Sequence, residues 1–414
     1  MTTHSPTAAP RRRRSKAAVA LAAAASAVLA LAATANAAPQ TFTPATGPDL
    51  QAAITSANAN PGADTILLQP VIYSPTAPMT ITDDVTISGD HSFQAATQGP
   101  AMDGTSVVPL QADMLTVSAN VTARFQGFTV SSGSTSPFAA FKINGTAFFD
   151  GMVLSGNGGT QLSVGNSGTA NVTNTSVDNG LSLGILNNGT TTLLNSSVDF
   201  NTGGGIETTG TLRLNNSLVT NNTAIATAHD CFHPATSSIT SMDSDSTCGV
   251  AMHGDPVYNF ADFRGGPTPS AEPTDASAIN VGDNSICPTA DQRFFVRPVG
   301  QCDLGAVEVN AVEDTTPPAC VVTATRVGLP RQQDVTLSDG ESGLGNDGVR
   351  PQDVTITNGT VAFTPFATPF RSPASSPPPS NGGLVLTATK TTADTPTQWS
   401  FVARDWGGNT KTCR

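Results

Sequence analysis

The chain has 414 residues, enough for two or three domains and a substantial core. It carries 31 acidic side chains against 19 Lys and Arg, a formal charge of −12. That balance speaks against nucleic acid and anionic membranes as partners, and fits a tight polyanion binder poorly.

The first segment is not part of the core. Arg11, Arg12, Arg13, Arg14 and Lys16 form a positive block, Ala17 to Ala33 is an Ala/Leu/Val run, and Ala35-Asn36-Ala37 is a small-residue cleavage site. This is the order of a secretory signal over residues 1–37. A membrane anchor is the competing reading, but the run is alanine-rich and interrupted by Ser26. The twin arginines leave the export route open. Removing the segment's five basic side chains takes the formal charge from −12 to −17. No later segment approaches a membrane span in length. The expectation is a soluble monomer, secreted or held at the cell surface. Further on, Leu50, Ala53, Ile54 and Ala57 fall at helical spacing and predict a short amphipathic capping helix from Asp49 to Asn58. Ile66-Leu67-Leu68 then reads as the first strand.

A repeat follows. Thr122, Thr146, Thr169, Thr190 and Thr211 recur at 24, 23, 21 and 21 residues. Three residues after each stand Phe125, Phe149, Val172, Leu193 and Leu214, and eight after stand Val130, Leu154, Val177, Val198 and Val219. Five before stand Val117, Phe141, Val164, Ile185 and Ile206. Three apolar columns per repeat mean three short strands, each sending alternate residues inward. Between the last two strands the column reads Gly127, Gly151, Asn174, Asn195 and Asn216, the residue types that tolerate a left-handed corner. Stacked asparagines there can form a ladder. A second corner carries Gly145, Gly168, Gly189 and Gly210. One earlier coil aligns Met79-Thr80-Ile81 with Leu115-Thr116-Val117, and Val85-Thr86-Ile87 with Val121-Thr122-Ala123. A β-sandwich would not keep corner and core residues in phase through five units. The fold class is therefore all-β: a right-handed parallel β-helix over residues 38–310 with an N-terminal capping helix, plus a small sandwich-like β domain over 311–414.

All six cysteines lie in the second half, and in an exported chain an even count suggests disulfides. Of the possible connectivities, Cys231–Cys248, Cys287–Cys302 and Cys320–Cys413 pair short loops and domain ends most simply.

Two segments resemble one known group. The first is Leu50-Gln51-Ala52-Ala53-Ile54 with Ala57-Asn58-Ala59-Asn60-Pro61-Gly62-Ala63-Asp64-Thr65-Ile66. The second runs from Asp230-Cys231 and Ser246-Thr247-Cys248-Gly249 through Gly265-Gly266-Pro267-Thr268-Pro269 and Ala276-Ser277-Ala278-Ile279-Asn280. It continues with Gly282-Asp283-Asn284, Cys287-Pro288, Asp291-Gln292-Arg293, Arg297-Pro298, Cys302-Asp303-Leu304-Gly305-Ala306 and Glu308. Over about residues 45–310 the chain resembles secreted right-handed β-helix proteins with a choice-of-anchor Q domain. It lacks the cysteine that often stands in place of Asp49, and has Ala-Ile-Asn where Ala-Ile-Asp is usual. The group's name reflects alternative C-terminal surface anchors, whereas this sequence ends Lys411-Thr412-Cys413-Arg414. Thr315-Thr316-Pro317-Pro318, with Phe401-Val402-Ala403-Arg404-Asp405 and Gly407-Gly408-Asn409, is similar to bacterial immunoglobulin-like modules. The Pro/Ser-rich run from Thr368 to Gly383 reads as a long loop inside that module.

Parallel β-helices include pectin-degrading lyases and hydrolases, yet fold alone does not assign an activity. Lyase chemistry needs an Arg or Lys base beside a carboxylate cluster holding Ca²⁺, and hydrolases need paired carboxylates. The aligned coils offer Arg124, Lys142 and Arg213 as bases, with Arg124 and Arg213 four coils apart. Asp178 and Asp199, each nine residues after a register threonine, are the candidate catalytic or Ca²⁺-binding pair, expected on adjacent coils. The plainer reading makes them solvated loop residues, and Glu207 belongs to a different face. His229, Cys231, His233, Cys248 and His253 invite a zinc reading, against which stands the disulfide. Asp243-Ser244-Asp245 offers too few acids for a calcium loop. No cofactor is implied. The leading expectation is a non-catalytic binding or scaffolding protein whose partners are polysaccharide or other cell-surface components. The alternatives are a polysaccharide lyase or hydrolase and a purely structural spacer.

Overall fold

A computed structural model of the chain describes residues 40–89, 99–103, 112–131, 135–224, 227–261, 265–298, 300–326, 332–339, 354–357, 359–363, 385–390, 398–405 and 407–414. The expected signal over residues 1–37 and the run from Thr368 to Gly383 lie outside them.

The architecture is a right-handed parallel β-helix. Two nine-stranded sheets and one six-stranded sheet, all parallel, form its three faces. Along each coil the chain passes through the first sheet, which carries the register threonines, then the second, then the third. The six strands of the third sheet close six complete coils, and later coils lack that strand. Thr122, Thr146, Thr169, Thr190 and Thr211 pair in unbroken register. Inside, Phe125, Phe141 and Phe149 are fully buried, with ring centroids 4.8 to 5.2 Å apart. Truncating one of these rings to alanine costs about 3–5 kcal/mol.

The first corner is as expected. Gly127, Gly151, Asn174, Asn195 and Asn216 have φ between 41° and 64°, the left-handed region open to glycine and asparagine. The glycines of the second corner answer to a different constraint. A Cβ on Gly145, Gly168, Gly189 or Gly210 would collide with backbone carbonyl oxygens, those of Ser118 and Val121, Ile143, Gly165 and Gly168, and Gly189 in turn. Close stacking of the coils, rather than a left-handed φ, excludes a side chain there.

This second corner also corrects the third column. Leu115 pairs with Phe141, Phe141 with Leu162, Leu162 with Ile185 and Ile185 with Ile206. Val117 and Val164 belong to a neighbouring column with Ile143 and Asn187. The corners after Val117 and Val164 are both longer, the first including Asn120 at φ 65° and the second closed by the Gly168 N–H to the Gly165 carbonyl at 2.8 Å, so counting back from the threonine slips by two residues in those two coils. The same slip affects the early coil. Met79–Ile81 pairs with Leu115–Val117 as expected, but Val85 pairs with Ala123 rather than Val121.

The capping helix spans Gly47–Ala59 and starts earlier than expected because Thr46 caps it. The Thr46 hydroxyl accepts from the Asp49 N–H at 3.3 Å and donates to the Asp49 carboxylate at 2.7 Å. Leu50, Ala53, Ile54 and Ala57 are buried on its inner face. Ile66-Leu67-Leu68 lies within the strand Asp64–Leu68, which is not the first: Thr41–Phe42 pairs along its outer edge and so protects that edge.

Beyond the β-helix, the C-terminal residues form a four-stranded and a three-stranded sheet, both antiparallel. Val335, Leu337, Phe401 and Ala403 form their core. All three cysteine pairs are bonded as expected, 231–248, 287–302 and 320–413.

Candidate functional site: a covered acidic column

Asp178 and Asp199 end the second-sheet strands Ser176–Asp178 and Ser197–Asp199. They pair directly on adjacent coils, in a column that runs Asp103, Ser131, Ser155, Asp178, Asp199, Thr220. The next residue in four of these coils, Gly156, Asn179, Phe200 and Asn221, has φ between 53° and 65°. This is a further left-handed corner, in which Phe200 breaks an otherwise Gly/Asn pattern.

Asp199 does not behave as a solvated loop residue, whereas Asp178 keeps part of its surface open. Asp199 is only 2% exposed. Burial raises the Asp178 carboxyl above its ordinary range, against hydrogen bonds from Ser155 and from the Asn179 amide at 2.9 Å. Burial also raises Asp199, well above that range, and the charges of Asp178 and Asp230 add to it. A proton is therefore favoured on the pair.

The chain's own later segment, described over residues 257–261, 265–298 and 300–308, lies over the second sheet and its corner and contributes to the burial of Asp199. The Tyr258 hydroxyl is 3.0 Å from Thr220 Oγ1, and its ring stands edge-on to Phe200 at 5.9 Å. Burial, with the Asp199 charge next, raises the Tyr258 phenol well above its ordinary value. The Ser176 hydroxyl donates to Gln292 Oε1 at 2.7 Å, and the Ala306 N–H to Ser197 Oγ at 3.3 Å. Leu218 packs with Ala278 and Leu304. Along the corner, Asn195 donates to the Asp303 carbonyl at 2.9 Å, Asn216 donates to the Asp283 carbonyl at 3.0 Å, and Asn174 Oδ1 accepts from Arg297 at 3.2 Å. The expected corner ladder is thus reduced to one link, Asn216 to Asn195 at 3.3 Å. The segment takes the Asn195 amide N–H and the Asn174 oxygen, while the Asn174 amide N–H donates to Asp150 Oδ1 at 3.2 Å.

Those residues between Asp291 and Glu308 that carried part of the resemblance form the interior of this cover. Arg293 donates twice to Asp291 Oδ2, at 2.6 and 2.9 Å, and once to the Glu308 carbonyl at 2.7 Å. Arg297 pairs with Glu308, whose carboxylate also accepts the Asp303 N–H at 3.0 Å. Asp303 in turn accepts the N–H groups of Asn280 at 2.7 Å and Val309 at 2.6 Å. Burial raises the Glu308 carboxyl, and the Arg297 charge opposes it. These charged side chains hold the cover together rather than facing a ligand.

An amide ladder lies elsewhere and was not anticipated. Asn157 donates to Gln161 at 2.7 Å, Gln161 to Asn201 at 2.8 Å, Asn201 to Asn222 at 3.0 Å and Asn222 to Asp230 at 3.0 Å. All five are buried. Asn157, Asn201 and Asn222 each stand eleven residues after a register threonine, a column the sequence holds but Gly180 interrupts; Gln161, fifteen residues after Thr146, bridges that gap.

The candidate bases are on other faces. Arg124 and Arg213 lie on the first sheet with Phe148, Asn171 and Thr192 between them in register. Arg124 sits 4.8 Å above the Phe148 ring. Lys142 is on the third sheet, 3.2 Å from Asp113. Glu207, as expected, is on the third sheet too, opposite Leu186. The zinc reading fails because Cys231 and Cys248 are joined and provide no thiolates. His229 instead lies against Phe232, with ring centroids 4.3 Å apart, and His253 Nδ1 meets Asp243 at 2.5 Å. Asp243 also accepts the Cys248 N–H at 2.8 Å, and Asp245 accepts from Thr247 at 2.5 Å, so both acids serve the disulfide loop. Among known proteins, no family, no curated protein and no solved structure matches this chain.

Proposed function

We propose that the chain is an exported, non-catalytic β-helix protein of the cell surface or its surroundings, which binds or scaffolds and takes polysaccharide as its ligand. The observation that carries this reading is the cover on the second sheet. In the one stacked acid pair of the aligned coils, Asp199 is buried beside Tyr258 of the chain's own segment and Asp178 is left only partly exposed, with the coil bases on other faces. A lyase or hydrolase needs that pair open to a sugar chain, with a base or water within reach.

The first sheet is the better face for a glycan. Its five register threonines are partly exposed and repeat once per coil, and Arg124 over Phe148 adds a flat, weakly basic platform. Hydroxyls repeating at the strand spacing of about 4.8 Å suit many weak hydrogen bonds to an extended polymer. Export is supported by the sequence pattern of residues 1–37 and agrees with three disulfides.

Native gel electrophoresis through immobilised polysaccharides tests the binding half. Retardation by at least one neutral polymer is expected, weakened when Thr169 and Thr190 are both changed to Val. Unchanged mobility in every polymer would leave the structural spacer as the better reading. N-terminal sequencing of material from the culture medium should begin at Ala38.

A further inference from the structure

Three carboxylates outside the β-helix converge where the C-terminal sheets begin. Asp314 precedes the strand Ala319–Arg326, Asp339 follows Gln332–Ser338, and Asp405 follows Gln398–Arg404. One oxygen from each lies within 4.8 Å of the other two, and the side chains are 1%, 3% and 0% exposed. Three acids so close and so buried repel one another strongly unless protons or a cation intervene.

A second observation points to the cation. Asp405 Oδ2 is buried and has no hydrogen-bond partner among the described residues, although the other oxygen accepts the Asn409 N–H at 2.8 Å. The loop is shaped around the cluster. Asn409 Nδ2 donates to the Asp314 carbonyl at 2.9 Å, and the Thr316 N–H donates to Asp314 Oδ1 at 2.8 Å. A Cβ on Gly407 would come within 2.9 Å of Asp314, so only glycine lets the turn approach. The donors are all oxygen, with no nitrogen or sulfur ligand in the cluster, which selects a hard divalent cation over zinc.

We propose that Asp314, Asp339 and Asp405 bind one Ca²⁺ ion, which fastens the segment entering the C-terminal sheets to the ends of two of their strands. Water and nearby carbonyls complete the six to eight oxygens that Ca²⁺ requires. Without the ion, burial raises the Asp405 carboxyl to about 7, and the charges of Asp314 and Asp339 contribute.

The test is calorimetric titration of CaCl₂ into the full, disulfide-bonded chain after chelation, at pH 7.5, with melting temperatures taken with and without Ca²⁺. One ion per chain should bind and raise the melting temperature, and Asp405→Asn should weaken that binding at least about tenfold. Asp339→Asn serves as a second variant, and far-UV circular dichroism confirms that each is folded. Asp178→Asn should bind Ca²⁺ as the unaltered chain does. No Ca²⁺ uptake at millimolar concentration, unchanged binding in both folded variants, or loss of binding in Asp178→Asn instead would overturn the proposal.

Discussion

Asp199 shows how a single side chain reports its surroundings. Its carboxyl is held well above the ordinary range by burial and by the charge of Asp178. The folded chain then keeps a proton that the unfolded chain releases, so stability falls as pH rises from the ordinary carboxylate range through the raised value. Asp199→Asn should remove that loss. Its melting temperature should exceed the unaltered chain's at pH 7.5 and approach it near pH 4, and an equal difference at both pH values would contradict a shared, buried proton. Gly189 makes a steric case at the same scale. A Cβ there meets the carbonyl oxygens of Gly165 and Gly168, so Gly189→Ala should cost about 1–3 kcal/mol in urea denaturation. The glycine column itself was visible in the sequence. Its reason was not, because the neighbouring carbonyl belongs to the coil beneath and is set by stacking.

At the scale of elements, the segment over the second sheet decides what the β-helix can offer. Its stability rests on buried charge, with Arg297 and Glu308 as its central pair. Removing one partner strands the other, so Glu308→Ala should destabilise the fold by about 3–5 kcal/mol. It should also speed hydrogen exchange at Ser176, Ser197 and Ala306, where the cover meets the sheet. Loss of stability without faster exchange there would place the pair's role elsewhere. The motif residues from Asp291 to Glu308 stood out in the sequence, but not their task. Spacing along the chain cannot show that Gln292 reaches Ser176 or that Asp303 receives Asn195, since these contacts span more than a hundred residues. The corner asparagines illustrate the same limit: their left-handed backbone followed from residue type, while their amide partners depended on what docked against them.

For the whole molecule, periodicity carried the fold. The apolar columns three and eight residues after each threonine, and the left-handed corner between them, all occupy their expected places. The third column slipped by two residues at Val117 and Val164, because the corners that follow them are longer, a variation that leaves the core composition unchanged. The acid pair was legible as a pair, and its closure was not. That closure separates a binding or scaffolding rod from a polysaccharide-degrading enzyme. The most direct measurement is product formation on a panel of acidic and neutral polysaccharides, following new reducing ends and unsaturated uronate. The covered column predicts no product from any substrate. Product that appears with the unaltered chain and disappears in Asp178→Asn would show that the pair is open and catalytic.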